Sequence, residues 1–149
     1  MTIADILAGM KGVWEGTYTV VSADGKLLER FPSRQEGWLD GTDWTEKVVY
    51  LKDDGEVVQY FHAVVDGDDV AFGNDQIWGQ TTRAGEQMIV FTFGWSDRPG
   101  ERIVECSRPD GDYRTRIWQH FEDDRLTRIT MIEERRNPER QPERWFQRR

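Results

Sequence analysis

Short turns separate strand-like segments along almost the whole chain, and this spacing is the strongest constraint on the fold. Each segment alternates apolar and polar residues, which is the pattern of a β-strand with one buried face. Parallel strands would need crossover connections of about a dozen residues, and no connection here is that long. The sequence therefore predicts an antiparallel meander of about nine or ten strands. Most turns contain an Asp-Gly pair, a strong hairpin signal, at 24–25, 40–41, 54–55, 66–67 and 110–111.

A meander of this length has two edge strands, and closing the sheet on itself removes both edges. Ahead of the first strand, Ile3, Ile6 and Leu7 recur at helical spacing behind a Thr2 cap. We therefore expect an all-β fold, a closed up-and-down antiparallel β-barrel of about eight to ten strands with a short N-terminal helix. Such a barrel has an interior that holds packed side chains or one small ligand.

The first strand sets the phase of the barrel. Trp14, Tyr18 and Val20 fall on one face at period two, while Glu15 and Thr17 fall on the other. The first face is expected to point inward. At 149 residues the chain fits one domain, and we predict the barrel over residues 1–136 and a basic tail over residues 137–149.

The charge of the chain is unevenly distributed. The formal net charge is −8 at pH 7, yet the last fifteen residues carry six Arg and only two Glu. Such a tail could fold back over its own barrel, contact a second subunit in a homodimer, or remain mobile. Covering Trp145 and Phe146 favours the first two of these alternatives over a dedicated partner site.

Composition excludes several classes of function. An acidic chain with a pI near 4.8 is not a general nucleic-acid binder, because phosphate neutralisation needs a basic surface. No segment reads as a signal peptide or as a membrane helix, so no membrane partner is expected. The single cysteine, Cys106, cannot form an internal disulfide. Together these features predict a cytoplasmic protein.

The motif Gly12-x-Trp14, which follows a short helix and opens the first strand, resembles the signature of the lipocalin and calycin superfamily. In that family the Trp closes one end of the barrel and packs near a basic residue at the end of the last strand. The resemblance implies structural roles for Gly12, Trp14 and Arg135, and Arg136 is an alternative partner for the indole. Within the superfamily, the cysteine-poor chain looks most like small bacterial calycin-like domains and nitrobindin-like haem barrels.

Aromatic residues are spread over many of the predicted strands. In a small barrel this distribution either lines an apolar cavity with a few polar fixing points or simply fills the core. An inward arginine would hold a carboxylate group of a ligand. The candidate ligand-binding residues are Tyr18, Trp44, Tyr60, Trp78, Phe91, Phe93, Trp118 and Arg116.

Acid–base chemistry would need titratable side chains inside the barrel. The candidates are His62, His120 and Glu133, because each shares a strand face with apolar or aromatic neighbours. For each of them, a hydrogen-bonded wall or surface position is the alternative. The resemblance to nitrobindin-like barrels adds a role as haem ligand for His120. Neither a metal-ligand cluster nor a phosphate-binding Gly-rich loop is present in the sequence.

Three functions are compatible with this pattern. The first is binding of a small hydrophobic ligand, aromatic or polyene-like, inside the barrel without a cofactor. The second is a lipocalin-like cyclase, isomerase or lyase that acts on a hydrophobic biosynthetic intermediate through acid–base residues in the cavity. The third is a haem-binding barrel. The inward or outward orientation of His62, His120 and Glu133 decides between the first two, and period two alone does not settle it because a β-bulge reverses the phase.

Overall fold

A computed structural model of the chain describes residues 1–73 and 75–147. It contains one helix, α1 (Ile3–Gly9), followed by ten strands. The strands are β1 (Gly12–Ser22), β2 (Leu27–Asp40), β3 (Asp43–Lys52), β4 (Gly55–Asp66), β5 (Asp69–Phe72), β6 (Ile77–Ala84), β7 (Met88–Trp95), β8 (Glu101–Asp110), β9 (Tyr113–Glu122) and β10 (Arg125–Asn137).

All ten strands belong to one antiparallel sheet, with the spatial order β5-β4-β3-β2-β1-β10-β9-β8-β7-β6. Consecutive strands form hairpins except at β5 and β6, and β1 also pairs with β10 along its length, from Val13 opposite Asn137 to Ser22 opposite Arg128. The first and last strands therefore lie side by side at the centre of the sheet. The predicted all-β antiparallel barrel with a short N-terminal helix is confirmed, and the barrel is nearly closed.

The remaining edge of the sheet is a seam between β5 and β6. In the described part of the chain no backbone ladder joins these two strands. Side-chain packing bridges the seam instead. A Cβ atom on Gly79 of β6 would lie 2.6 Å from the Phe72 ring of β5, so the absence of a side chain at Gly79 lets the ring pack against the strand.

The helix α1 closes one end of the barrel. Thr2 and Asp5 form a reciprocal capping box at its N-terminus. Its apolar residues Ile3, Ile6 and Leu7 are buried in a cluster that also contains side chains from β3, β4 and β7. The helix thus covers apolar surface that would otherwise face water at this end. None of the described residues forms a helix long and apolar enough to cross a membrane.

The C-terminal tail folds back over the outer face of β2, β3 and β4. Arg144 stacks on Trp38 at 3.8 Å, and the Phe146 ring stacks on His62 at 3.9 Å between centroids. Glu143 forms an ion pair of 2.9 Å with Lys47. Of the three alternatives for the tail, the structure shows the folded-back one over its described residues. Arg148 and Arg149 lie outside the described residues, and a homodimer remains a prediction.

Candidate functional site

A cavity of about 260 Å³ lies inside the barrel. This volume is slightly below the range of roughly 300–1,000 Å³ that is typical of small-molecule pockets. The lining extends from Leu7 of α1 to Arg98, in the turn between β7 and β8 at the opposite end of the barrel, and we call this second end the mouth. Its apolar wall is mainly aromatic and includes Trp44, Phe61, Phe72, Phe91, Phe93 and Trp118. Polar and charged side chains complete the lining, among them Glu46, Glu105, Arg116, His120 and Arg128.

Five of the eight predicted ligand-binding residues line this cavity, namely Trp44, Phe91, Phe93, Trp118 and Arg116. Tyr18 is buried beside the cavity, where its ring packs against Phe31, Tyr50 and Trp118. Its hydroxyl accepts a hydrogen bond of 2.9 Å from Arg116. Tyr18 therefore packs behind the residues that line the cavity and does not line it itself.

Tyr60 and Trp78 require a correction, because both lie on the outer face of the barrel. Their exposed fractions are 48% and 42%, and the inward positions beside them belong to Phe61 and Ile77. Tyr60 packs against Trp145 of the tail, with 5.2 Å between ring centroids. The expectation that these two side chains line the cavity is wrong. On β4 bulky residues occupy both faces, and on β6 Ile77 takes the inward position while Trp78 packs over Gly94 of β7.

A buried ion cluster lies between the cavity and α1. Arg114 and Arg116 both lie on the inner face of β9, two residues apart. Each donates a hydrogen bond from Nε to Oε1 of Glu134 on β10 at 2.9 Å. Burial by itself would raise the pKa of Glu134, but the two guanidinium groups outweigh it and hold the pKa at about 2. Glu134 is therefore ionised and compensates two buried cations. Removal of either partner would leave a buried charge without compensation.

Hydrogen bonds extend this cluster to the cavity wall. Arg114 donates to the side-chain oxygen of Gln35, and Gln35 donates to Glu46 at 2.7 Å. Glu46 also accepts a bond of 2.7 Å from the Trp44 indole nitrogen. These bonds fix the carboxylate of Glu46 in a single orientation at the cavity surface.

Trp14 lies on the closed side of the cluster and is completely buried. The guanidinium groups of Arg114 and Arg136 each lie 4.5 Å from its ring centroid, and its Nε1 donates to the carbonyl oxygen of Met10 at 2.9 Å. Gly12 has a φ of +125°, a conformation that side chains disfavour. The geometry is that of an end plug held between two cations.

Arg136, the alternative partner from the end of β10, is the residue of that strand that packs on Trp14, alongside Arg114 of β9. Arg135, which we expected at this position, faces outward and lies over the Tyr113 ring at 4.6 Å. Glu133 requires the same correction, since it is exposed on the outer face while Glu134 is buried. On β10 the even-numbered residues Thr130, Ile132 and Glu134 point inward, so the predicted phase of this strand was wrong by one residue.

Glu105 on β8 is the cavity carboxyl group that the sequence-based reasoning missed. Burial raises its pKa to about 7, while Arg116 opposes this shift and Glu46 adds to it. The nearest guanidinium nitrogen of Arg116 lies 4.0 Å away. Glu105 thus exchanges a proton near neutral pH, the range that suits a general acid or base. The pair of arginines at i and i+2 on β9 was the signal that inward carboxylates lie nearby.

The two histidines differ in their environments. His120 is buried, lines the cavity and contacts the Thr130 hydroxyl through Nε2 at 3.1 Å. Burial, together with the Arg128 charge, lowers the pKa of His120 to about 4. His62 borders the cavity near the seam, but its Nε2 bonds Asp43 at 2.9 Å and its ring stacks on the tail. His120 is therefore the histidine with a buried ring nitrogen, Nδ1, that has no hydrogen-bond partner among the described residues.

Two buried polar atoms along this wall have no hydrogen-bond partner among the described residues: His120 Nδ1 and Trp118 Nε1. Both side chains line the cavity. An unsatisfied buried donor costs about 1–3 kcal/mol, so such atoms mark positions for a ligand or a water molecule. No group of His, Cys, Asp and Glu side chains in the described part of the chain has the geometry of a metal site.

Solved structures with a similar fold come from distant proteins. An S-type phycobiliprotein lyase, CPES from Guillardia theta, aligns with a TM-score of 0.77 at 10% identity, covering 94% of this chain and 95% of that one. Rv2717c from M. tuberculosis aligns with a TM-score of 0.60 at 14% identity, covering 89% and 96% of the two chains. At these identities the likeness shows the fold alone. No match was found among curated proteins.

A third structure is a protein of unknown function from the DUF3598 family of Nostoc punctiforme PCC 73102. It aligns with a TM-score of 0.63 at 16% identity over 88% of this chain. The alignment covers 49% of the Nostoc protein, so the chain spans about half of that relative's length. The family model described as "Domain of unknown function (DUF3598), N-terminal" matches residues 5–139. The chain therefore belongs to the DUF3598 family, as a member of its N-terminal domain.

Proposed function

We propose that the barrel binds a small, largely apolar ligand, aromatic or polyene-like, in its interior cavity. The observation that carries the proposal is the aromatic cavity with two unpartnered polar atoms in its wall, Trp118 Nε1 and His120 Nδ1. An apolar ligand body would bury itself against the aromatic side chains, and a polar group on it would satisfy those atoms. The Gly12-x-Trp14 plug is consistent with a calycin-like barrel, whose other end stays open as a mouth.

The cavity proposal is tested by titration with 1-aminoanthracene, a neutral apolar fluorophore. Saturable enhancement of probe emission, with quenching of tryptophan emission, is expected. Ala63 lines the cavity and Ala71 is exposed on the neighbouring strand, which gives a matched pair of variants. Ala63→Leu should weaken binding by about tenfold or more because it fills the space, and Ala71→Leu should leave binding unchanged.

Circular dichroism melts of both variants separate loss of the cavity from loss of folding. Absence of saturable binding to the wild-type protein would overturn the proposal. Equal effects of the two substitutions on affinity, with both variants folded, would place the probe outside the barrel and would also overturn it.

Glu105 favours a second candidate, an enzyme that uses the same cavity. A carboxyl group with a pKa of about 7, next to Arg116 and the fixed Glu46, is suited to proton transfer in a cyclisation, isomerisation or elimination. Similarity of fold to a phycobiliprotein lyase is compatible with a binder or an enzyme. A Glu105→Gln variant that still binds a ligand but no longer converts it would favour the enzyme.

Haem is the third alternative, and the described residues fit it less well. The cavity of about 260 Å³ is smaller than typical pockets for drug-sized ligands, and a haem exceeds most drugs in size. Nε2 of His120, the nitrogen farther from the backbone, already contacts Thr130. We therefore do not propose haem as the ligand.

A further inference from the structure

Three polar groups on one wall of the cavity lack a compensating partner among the described residues. Trp118 Nε1 and His120 Nδ1 are buried without a hydrogen-bond partner, and their rings lie 6.0 Å apart on β9. Arg128 of β10 is exposed to solvent, borders the same cavity and is paired with His120 in the strand register. In the described part of the chain, no carboxylate lies within ion-pair distance of Arg128.

These groups are hydrogen-bond donors, so a ligand that binds them must supply a hydrogen-bond acceptor. An indole nitrogen only donates, so Trp118 needs an oxygen opposite it. The Thr130 hydroxyl can donate to Nε2 of His120, which leaves the proton on Nδ1 and makes that atom a second donor. Arg128 adds a positive charge with five donor hydrogens at the mouth. The wall therefore presents donors and a cation without an anion.

The other positive charges of the cavity are already compensated. Arg98, also at the mouth, pairs with Glu101 at 3.4 Å. Arg116 lies two residues nearer the closed end than Trp118 and is engaged by Glu134 and Glu105. The uncompensated positive charge is thus confined to the Trp118, His120 and Arg128 wall. The aromatic part of the cavity adjoins this wall, since the Phe93 ring packs edge-on against Trp118 with 6.2 Å between centroids.

We propose that this wall is a carboxylate-binding subsite and that the ligand is a small aromatic or polyene acid. The carboxylate accepts hydrogen bonds from Trp118 and His120 and lies beside Arg128, while the apolar body extends into the aromatic part of the cavity. Charge-assisted hydrogen bonds of this kind are among the strong ones in proteins. The inference rests on the proposed function, since it names the chemical class of ligand for the same cavity.

The test compares two probes that share one apolar body, 1-naphthylacetate and 1-naphthylacetamide, by isothermal titration calorimetry at pH 7. The acid is expected to bind about tenfold tighter than the amide or better. Arg128→Gln should abolish most of this preference. Arg125→Gln is the matched control, because Arg125 and Arg128 are both exposed on β10 and only Arg128 lines the cavity.

Each outcome is decisive. A preference for the acid that Arg128→Gln removes and Arg125→Gln keeps supports the subsite. Equal affinity for acid and amide overturns the subsite and leaves the apolar cavity proposal standing. A preference that both variants reduce equally reflects the general charge of the barrel and also overturns the subsite. Failure of both naphthyl probes and of 1-aminoanthracene contradicts the subsite and the cavity proposal together.

Discussion

Trp14 is the residue on which the closed end of the barrel depends. Its ring is completely buried and lies between two guanidinium groups, each 4.5 Å from the ring centroid. The same two arginines take part in other contacts, Arg114 with Glu134 and Arg136 with the carbonyl oxygen of Gly9. Loss of the indole would therefore leave a cavity and also uncover two cations.

Trp14→Ala is expected to reduce the free energy of unfolding by roughly 3–5 kcal/mol, the cost of a large-to-small substitution in a core. Trp78→Ala is the control, because Trp78 is 42% exposed and its removal should cost clearly less. Urea unfolding followed by circular dichroism measures both. Similar losses for the two variants would contradict the role of Trp14 as a plug.

At the residue scale, the sequence predicted the phase of β1 correctly and that of β10 incorrectly. Trp14 and Tyr18 are buried as expected, because apolar residues on β1 mark its inner face. On β10 the inner face carries Glu134, which two arginines compensate, so polarity no longer identifies the outside. A register shift between Leu126 and Arg128 adds to the ambiguity.

At the scale of elements, the sequence was sufficient for the number of strands and their pairing with chain neighbours. Asp-Gly turns determine hairpins locally. The position of the seam was not predictable, since it depends on how the whole sheet curves. The double-sided apolar pattern of β4 had a specific cause: tail residues Trp145 and Phe146 cover its outer face at Tyr60 and His62.

The seam should be the least protected part of the sheet. β5 pairs only with β4 and β6 only with β7, whereas β1 is paired on both sides. Amide hydrogens of β6 are therefore expected to exchange at least about tenfold faster than those of β1, because unpaired edges open locally. Hydrogen exchange with mass spectrometry resolves these segments. Equal protection of β1 and β6 would mean that the barrel is fully closed in solution.

The seam also borders the cavity, through Val70 and Phe72 on one side and Ile77 on the other. A ligand that packs against these side chains joins the two edges without a backbone ladder. Binding should therefore slow exchange in β5 and β6 more than in β1, which links the proposed function to a property of the sheet.

At the scale of the whole molecule, the buried titratable groups have opposing effects on stability. The pKa of Glu134 is lowered to about 2, so the stability it contributes is present above about pH 4.5 and is lost as the pH falls toward 2. The pKa of His120 is lowered to about 4, so it destabilises the fold as the pH falls from 6.5 to 4. Glu105 contributes to stability with the opposite dependence on pH, because its pKa is raised.

Glu105 binds its proton more tightly in the folded state than in the unfolded state. Between its ordinary pKa of 4.5 and the folded value of about 7, the unfolded chain releases this proton first. The contribution of Glu105 to stability is therefore full below about pH 4.5 and is lost as the pH rises to about 7. Glutamine does not titrate and resembles the protonated form. Glu105→Gln should thus gain stability relative to the wild type across this window, by roughly 3 kcal/mol at its upper end.

Comparing variant with wild type cancels the contributions of Glu134 and His120, which both proteins share. The measurement is the difference in unfolding free energy at several pH values between 4.5 and 8, from urea titrations. Glu133→Gln is the control, because it makes the same replacement on the exposed outer face one residue from Glu134. The difference for Glu105→Gln should change with pH far more than the difference for this control. A flat difference for Glu105→Gln would show that Glu105 ionises normally in the folded barrel. In that event the acid–base candidate for the cavity would lose the observation that favours it.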